Sequence, residues 1–167
     1  AGGQKLKFKF GTKHSLDIWI ANRTEEVIEN VTAALEKYEI LEAGRLIAEY
    51  IDELSTWYLR RSRDRFWVGE QAAIDTLHTV LVVLCRTLAP LLPLLTEQVY
   101  RALTGERSVH LTDWPDAASI PADAALVDSM DLVRDVCNAA LRLRKERQLR
   151  VRQPLASLRV AVAGSAR

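Results

Sequence analysis

The 167-residue sequence predicts an all-α fold, an antiparallel bundle of about five helices with a short extended segment at its C-terminal end. Three observations carry that expectation. From Ser15 onward apolar residues recur at spacings of three, four and seven, the stripe of an amphipathic helix. Only 7 Gly and 5 Pro are present, too few for the frequent turns of a β-sandwich or barrel. With 49% hydrophobic and 27% charged residues the chain can bury a core, which excludes a largely disordered protein.

The elements follow in order. Leu6, Phe8 and Phe10 alternate with Lys5, Lys7 and Lys9, a period of two. One isolated strand has nothing to pair with, so residues 1–14 are read as a basic leader or arm. The first helix is capped by Ser15, and Leu16, Trp19, Ile20, Val27, Ile28, Val31, Leu35 and Tyr38 form its apolar stripe. A second is expected from about Leu41 to Trp67, with Gly69 as its stop. The third, Gln71 to Leu88, is apolar almost all round and should be the most buried, with Leu81 in its core. Pro90 breaks it, and a fourth helix runs from about Leu91 to Leu103 with Gly105 after it. A long connection, Glu106 to Ala122, leads to a fifth helix from about Ala124 to Gln148, with Val127, Met130, Val133, Val136, Cys137, Ala140, Leu141 and Leu143 facing inward. After Pro154 a loose alternation to Val162 reads as a short strand, so residues 15–153 form the helical domain and 154–167 the start of an extension.

Thr79 to Leu95 is nearly all apolar but contains Arg86, Pro90 and Pro93, and a spanning helix needs about 20 uninterrupted apolar residues, so it is read as core and no membrane contact is expected. Cys85 and Cys137 lie apart in helical patterns, as reduced thiols of a cytoplasmic protein do. His14, His78 and His110 stand alone, and His78 is expected in the core. There is no Gly-rich phosphate loop, metal-ligand cluster or nucleophile elbow, so no catalytic residue, metal site or cofactor is assigned to this chain.

The net charge of +1 hides an asymmetry. Residues 140–167 carry eight cations against Glu146 alone, and residues 1–13 carry four lysines and no acid, whereas the middle is strongly acidic. Within that middle, Arg60 to Trp67 is a basic island of four arginines with Asp64, beside Trp57 and Tyr58. Clustered arginines suit bidentate phosphate contacts, and aromatic faces suit unpaired bases.

Four strings in order, WYLRRSRDRFW (Trp57 to Trp67), LAPLLPLLTEQVYRAL (Leu88 to Leu103), SVHLTDWPD (Ser108 to Asp116) and LRKERQLRVRQPL (Leu143 to Leu155), resemble the anticodon-binding domain of class Ia aminoacyl-tRNA synthetases. The first string is most similar to the isoleucine branch, with the valine and leucine branches as alternatives; a helical protein-interaction module with basic ends is the alternative from another class. The family's His-x-Gly-His and lysine-loop motifs are missing, so the resemblance implies a tRNA-binding fragment that is inactive alone, with ATP and Mg belonging to the parent enzyme. It implies isoleucine tRNA and the remainder of the synthetase as partners, and a monomer. On that reading Arg60, Arg61, Arg63 and Trp67 approach RNA while Trp57 packs inward. Arg142, Lys145, Arg150, Arg152 and Gln153 form a second RNA-binding group, the last three on an extended strap whose alternation points both arginines one way.

Overall fold

A computed structural model describes residues 14–117 and 123–161. The described residues fall into two compact units, one up to Leu126 and one from Val127.

In the first unit, the spacing of Trp19, Ile20, Val27, Ile28 and Val31 makes one face of α1 (Ser15–Glu36), and all five side chains are buried. α1 packs on α2 (Ile40–Glu53) and α4 (Gln71–Leu88), and α4 packs on α5 (Pro93–Thr104). Polar residues inside α1 are satisfied where they stand: Thr24 Oγ1 donates to the Ile20 carbonyl at 2.6 Å and lies 2.6 Å from the buried Tyr50 hydroxyl. Asn22 Nδ2 donates to the Ile18 carbonyl at 2.6 Å, and its Oδ1 accepts the Asp123 N–H.

The cap of α1 differs from expectation. His14 takes it, its Nδ1 accepting the Leu16 N–H at 3.3 Å, and Ser15 is already helical. α1 ends without a glycine: Tyr38 adopts φ +60°, with the Glu39 N–H reaching the Ala34 carbonyl and the Tyr38 N–H the Leu35 carbonyl. This is the two-bond pattern that closes a helix through a left-handed residue.

The single helix expected from Leu41 to Trp67 is three pieces. After α2 the chain widens into a π-helical turn, Leu54–Leu59, and breaks at Ser62 before the short α3 (Arg63–Trp67). Ser55 Oγ and Thr56 Oγ1 both donate to the Asp52 carbonyl, at 3.1 and 2.7 Å, and such back-bonding bends helices. Gly69, at φ +71°, closes α3 as expected.

α4 matches its expected bounds, and half of its residues are buried. By length and composition it could cross a membrane, yet Val80, Val82, Val83, Leu84 and Cys85 are buried in the protein. Leu81 is half-buried and not part of that core. His78 is exposed, its Nε2 3.0 Å from the Leu103 carbonyl oxygen, so it ties α4 to α5 from the surface and is not a core histidine. The fourth helix starts at Pro93 and not Leu91, because proline's missing N–H costs nothing in a first turn. Gly105, φ +71°, ends it.

The loop after α5 holds a 3-10 turn, Val109–Leu111. Glu97 accepts the Ser108 hydroxyl and the Val109 N–H, both at 2.9 Å. Arg86 Nε donates to the Asp113 carbonyl at 3.0 Å, and Trp114 Nε1 donates to Thr32 Oγ1 at 2.9 Å.

The second unit holds most of α6 (Ala124–Glu146) and the segment after it. Of the expected inward face, Val127 is buried and Met130, Val136, Cys137 and Ala140 are half-buried, but Val133, Leu141 and Leu143 are about half exposed. No strand occurs among the described residues, so the short strand expected after Pro154 is absent as far as Ala161. The alternation expected in Ala1–Lys13 lies outside the described residues.

Candidate nucleic-acid interface

Trp57 lies in the π-helical turn and is half-buried, so it packs inward in part. Four residues on, the Arg61 guanidinium lies 3.9 Å above the indole centroid. Arg60, Arg61 and Arg63 are exposed, and Trp67 is 78% exposed.

Arg65, the fourth cation of the island, is withdrawn from that surface. Its Nη1 and Nη2 donate to Asp17 Oδ1 and Oδ2, both at 2.7 Å, and its Nε and Nη2 donate to Glu70 at 2.9 and 2.6 Å. Asp17 is 1% exposed and also accepts the Tyr58 hydroxyl at 2.9 Å. Tyr58 is buried edge-on to Phe66, and burial, reinforced by the Asp17 charge, pushes its phenol above the ordinary tyrosine range. Hydrogen bonds from Arg65 hold the Glu70 carboxyl below the usual carboxylate range. The sequence gives no sign of this cluster, because Asp17 and Arg65 lie 48 positions apart. The clamp fixes α3, a helix too short to persist alone, to the start of α1. Three arginines and Trp67 are thereby presented on one short stretch, with the exposed Asp64 as the anion among them.

In the second unit the expected extended strap is a folded turn. Gln148, at φ +53°, ends α6 through the Leu149 N–H to the Arg144 carbonyl and the Gln148 N–H to the Lys145 carbonyl. Arg144 Nη1 then donates to the carbonyls of Arg150, Val151 and Gln153, at 2.9, 3.2 and 2.9 Å. The Gln153 N–H reaches the Arg150 carbonyl at 3.0 Å. Three carbonyls converging on one guanidinium favour the turn over an extended chain. Arg150, Arg152 and Gln153 are brought together there, exposed. Arg142 sits 3.6 Å from Glu146, a loose exposed pair of little energetic weight, and Lys145 is exposed. Sequence reasoning missed Arg144; its signal was a basic residue in a helix's last turn, where free carbonyls need donors. Among the described residues no group of His, Cys, Asp and Glu could hold a metal ion.

Two arginine clusters on helix ends suit a phosphate backbone, and residues 17–162 match the family described as the anticodon-binding domain of tRNA ligase. The chain belongs to that family. Its relatives agree on the branch. It is 49% identical over 172 residues to an isoleucine–tRNA ligase of Leifsonia xyli, covering 99% of this chain and 15% of the relative. It is 48% identical to the isoleucine–tRNA ligase of Nocardia farcinica and 51% identical to that of Corynebacterium efficiens, covering 96% and 98% of this chain and 16% of each relative. The anticodon-binding domain thus corresponds to about one sixth of the length of these ligases.

Proposed function

We propose that this anticodon-binding domain grips the anticodon stem-loop of isoleucine tRNA on behalf of an isoleucine–tRNA ligase. The observation that carries the reading is that two arginine clusters stay exposed, Arg60, Arg61 and Arg63 within the acidic middle of the chain and Arg150 and Arg152 in its basic C-terminal stretch. In both, the neighbouring arginine is spent internally, Arg65 on carboxylates and Arg144 on carbonyls, which leaves the others for a ligand. Phosphate contacts supply affinity for a structured RNA, and splayed loop bases supply sequence. Trp67 and Gln153 are the side chains suited to such bases, one by stacking and the other by offering a donor and an acceptor. The remainder of the ligase forms the aminoacyl-adenylate from ATP with Mg and transfers it, in the cytoplasm, and the domain acts as a monomer.

Two measurements test this. Competition among isoleucine, valine and leucine tRNAs in filter binding should favour the isoleucine tRNA, and equal competition contradicts the assignment. The chain alone should show no isoleucine-dependent ATP–pyrophosphate exchange. A protein-interaction module is favoured by one observation, the exposed Leu92, Leu94, Leu95 and Leu111. Binding of an acidic polypeptide as tight as binding of tRNA supports that reading instead.

A further inference from the structure

Among the exposed cations of the first unit, Arg61 differs from its neighbours. Arg60 and Arg63 are exposed cations with no carboxylate partner among the described residues. Arg61 carries the same charge, but its guanidinium is laid over the Trp57 indole at 3.9 Å. A guanidinium stacked on a tryptophan is held by the ring's negative face, and tryptophan is the strongest such partner. Trp57 is half-buried, so the fold covers part of the ring, and Arg61 is exposed, so the pair stands at the protein surface. Trp67 has no such backing: it is 78% exposed on the last residue of a five-residue helix.

The local backbone has a reason to be there. Trp57 lies in a π-helical turn and Arg61 just after it, and such turns are rare and frequent at functional sites. Ser55 and Thr56, bonded to the Asp52 carbonyl, bend the backbone into that turn.

We propose that the Trp57–Arg61 stack is a preformed platform for one unpaired base of RNA, with Arg60 and Arg63 holding the flanking phosphates. This rests on the anticodon-binding reading and names the ligand element that the first cluster takes: a splayed base and not the duplex stem. Planar guanidinium groups stack on bases as aromatic rings do. A plane already fixed on an indole loses less rotamer freedom on binding than a free arginine, so the stacking energy appears as affinity. An acidic protein partner would use the same charges without needing a plane.

The test compares two RNAs on the full chain: the anticodon stem-loop of isoleucine tRNA, and its stem alone as a blunt duplex. Arg61→Lys keeps the charge and removes the plane. The stem-loop to duplex affinity ratio should fall about tenfold, the scale of one lost base stack. Trp57→Leu, which removes the backing ring, should lower the same ratio, with thermal melting recorded to show that the chain remains folded. A ratio unchanged by Arg61→Lys, or a parallel loss for both RNAs, overturns the platform while leaving the anticodon-binding reading intact. Wild-type protein that binds neither RNA, or that poly-glutamate strips from RNA as readily as unlabelled stem-loop does, overturns both.

Discussion

At Arg65 one side chain meets two carboxylates and thereby decides what its neighbours can do. Asp17 is fully buried, and its charge is tolerated because both oxygens accept from Arg65 and one also accepts from Tyr58. Removing one partner of a buried pair leaves the other charge uncompensated. Arg65→Ala should therefore lower unfolding free energy by about 3 kcal/mol, read as a shift in urea midpoint at constant slope. Arg60→Ala, on an exposed side chain with no ion pair among the described residues, should stay within about 0.5 kcal/mol of wild type. Equal effects of the two changes would show that the island is one solvated face. Read from sequence, Arg65 is one of four equivalent cations; its different fate depends on a contact with a helix 48 residues earlier, which no local pattern encodes.

At the scale of elements, local chemistry explains what could be foreseen. The bounds of α4 were legible from its apolar run, and Gly69 and Gly105 marked real helix ends because glycine adopts positive φ without cost. The fifth helix was expected to end near Gln148 and does, but that Tyr38 and Gln148 close their helices in the left-handed conformation was not legible, since residues of those types rarely adopt it. Nor was the division of the second helix, whose apolar stripe runs on while Ser55, Thr56 and Ser62 bend the backbone. Gly44 is a glycine with no structural need: it is exposed inside α2, and a Cβ there would meet nothing within 4 Å. Gly44→Ala should raise stability by about 0.5–1 kcal/mol, measured by denaturant unfolding. The element junctions also set an acid limit. Glu97 is held below the usual carboxylate range by the Val109 N–H and the Ser108 hydroxyl, and Glu70 by Arg65. A carboxylate depressed in the folded state contributes stability that is present above its unfolded value, about 4.3, and lost as pH falls through the folded value. Stability should thus drop with acid below about pH 4.3, and Glu70→Gln and Glu97→Gln should each make that drop shallower in urea titrations.

For the whole chain, the charge pattern was the sequence's clearest functional statement, and the structure refines which charges are available. Arg65 and Arg144 are taken by the fold; Arg60, Arg61, Arg63, Arg150 and Arg152 are left exposed. The folded turn at Arg150–Gln153 was not foreseen, because its organising contact is a side chain capping carbonyls and not an apolar period. That the free arginines bind RNA phosphates is tested most directly by the salt dependence of anticodon stem-loop binding. For wild type, log affinity should fall linearly with log salt, and Arg150→Ala with Arg152→Ala should flatten the slope by roughly one unit per lost phosphate contact. The double variant should melt as wild type does. A wild-type slope retained in the double variant, or a slope near zero in the wild type itself, would contradict the account.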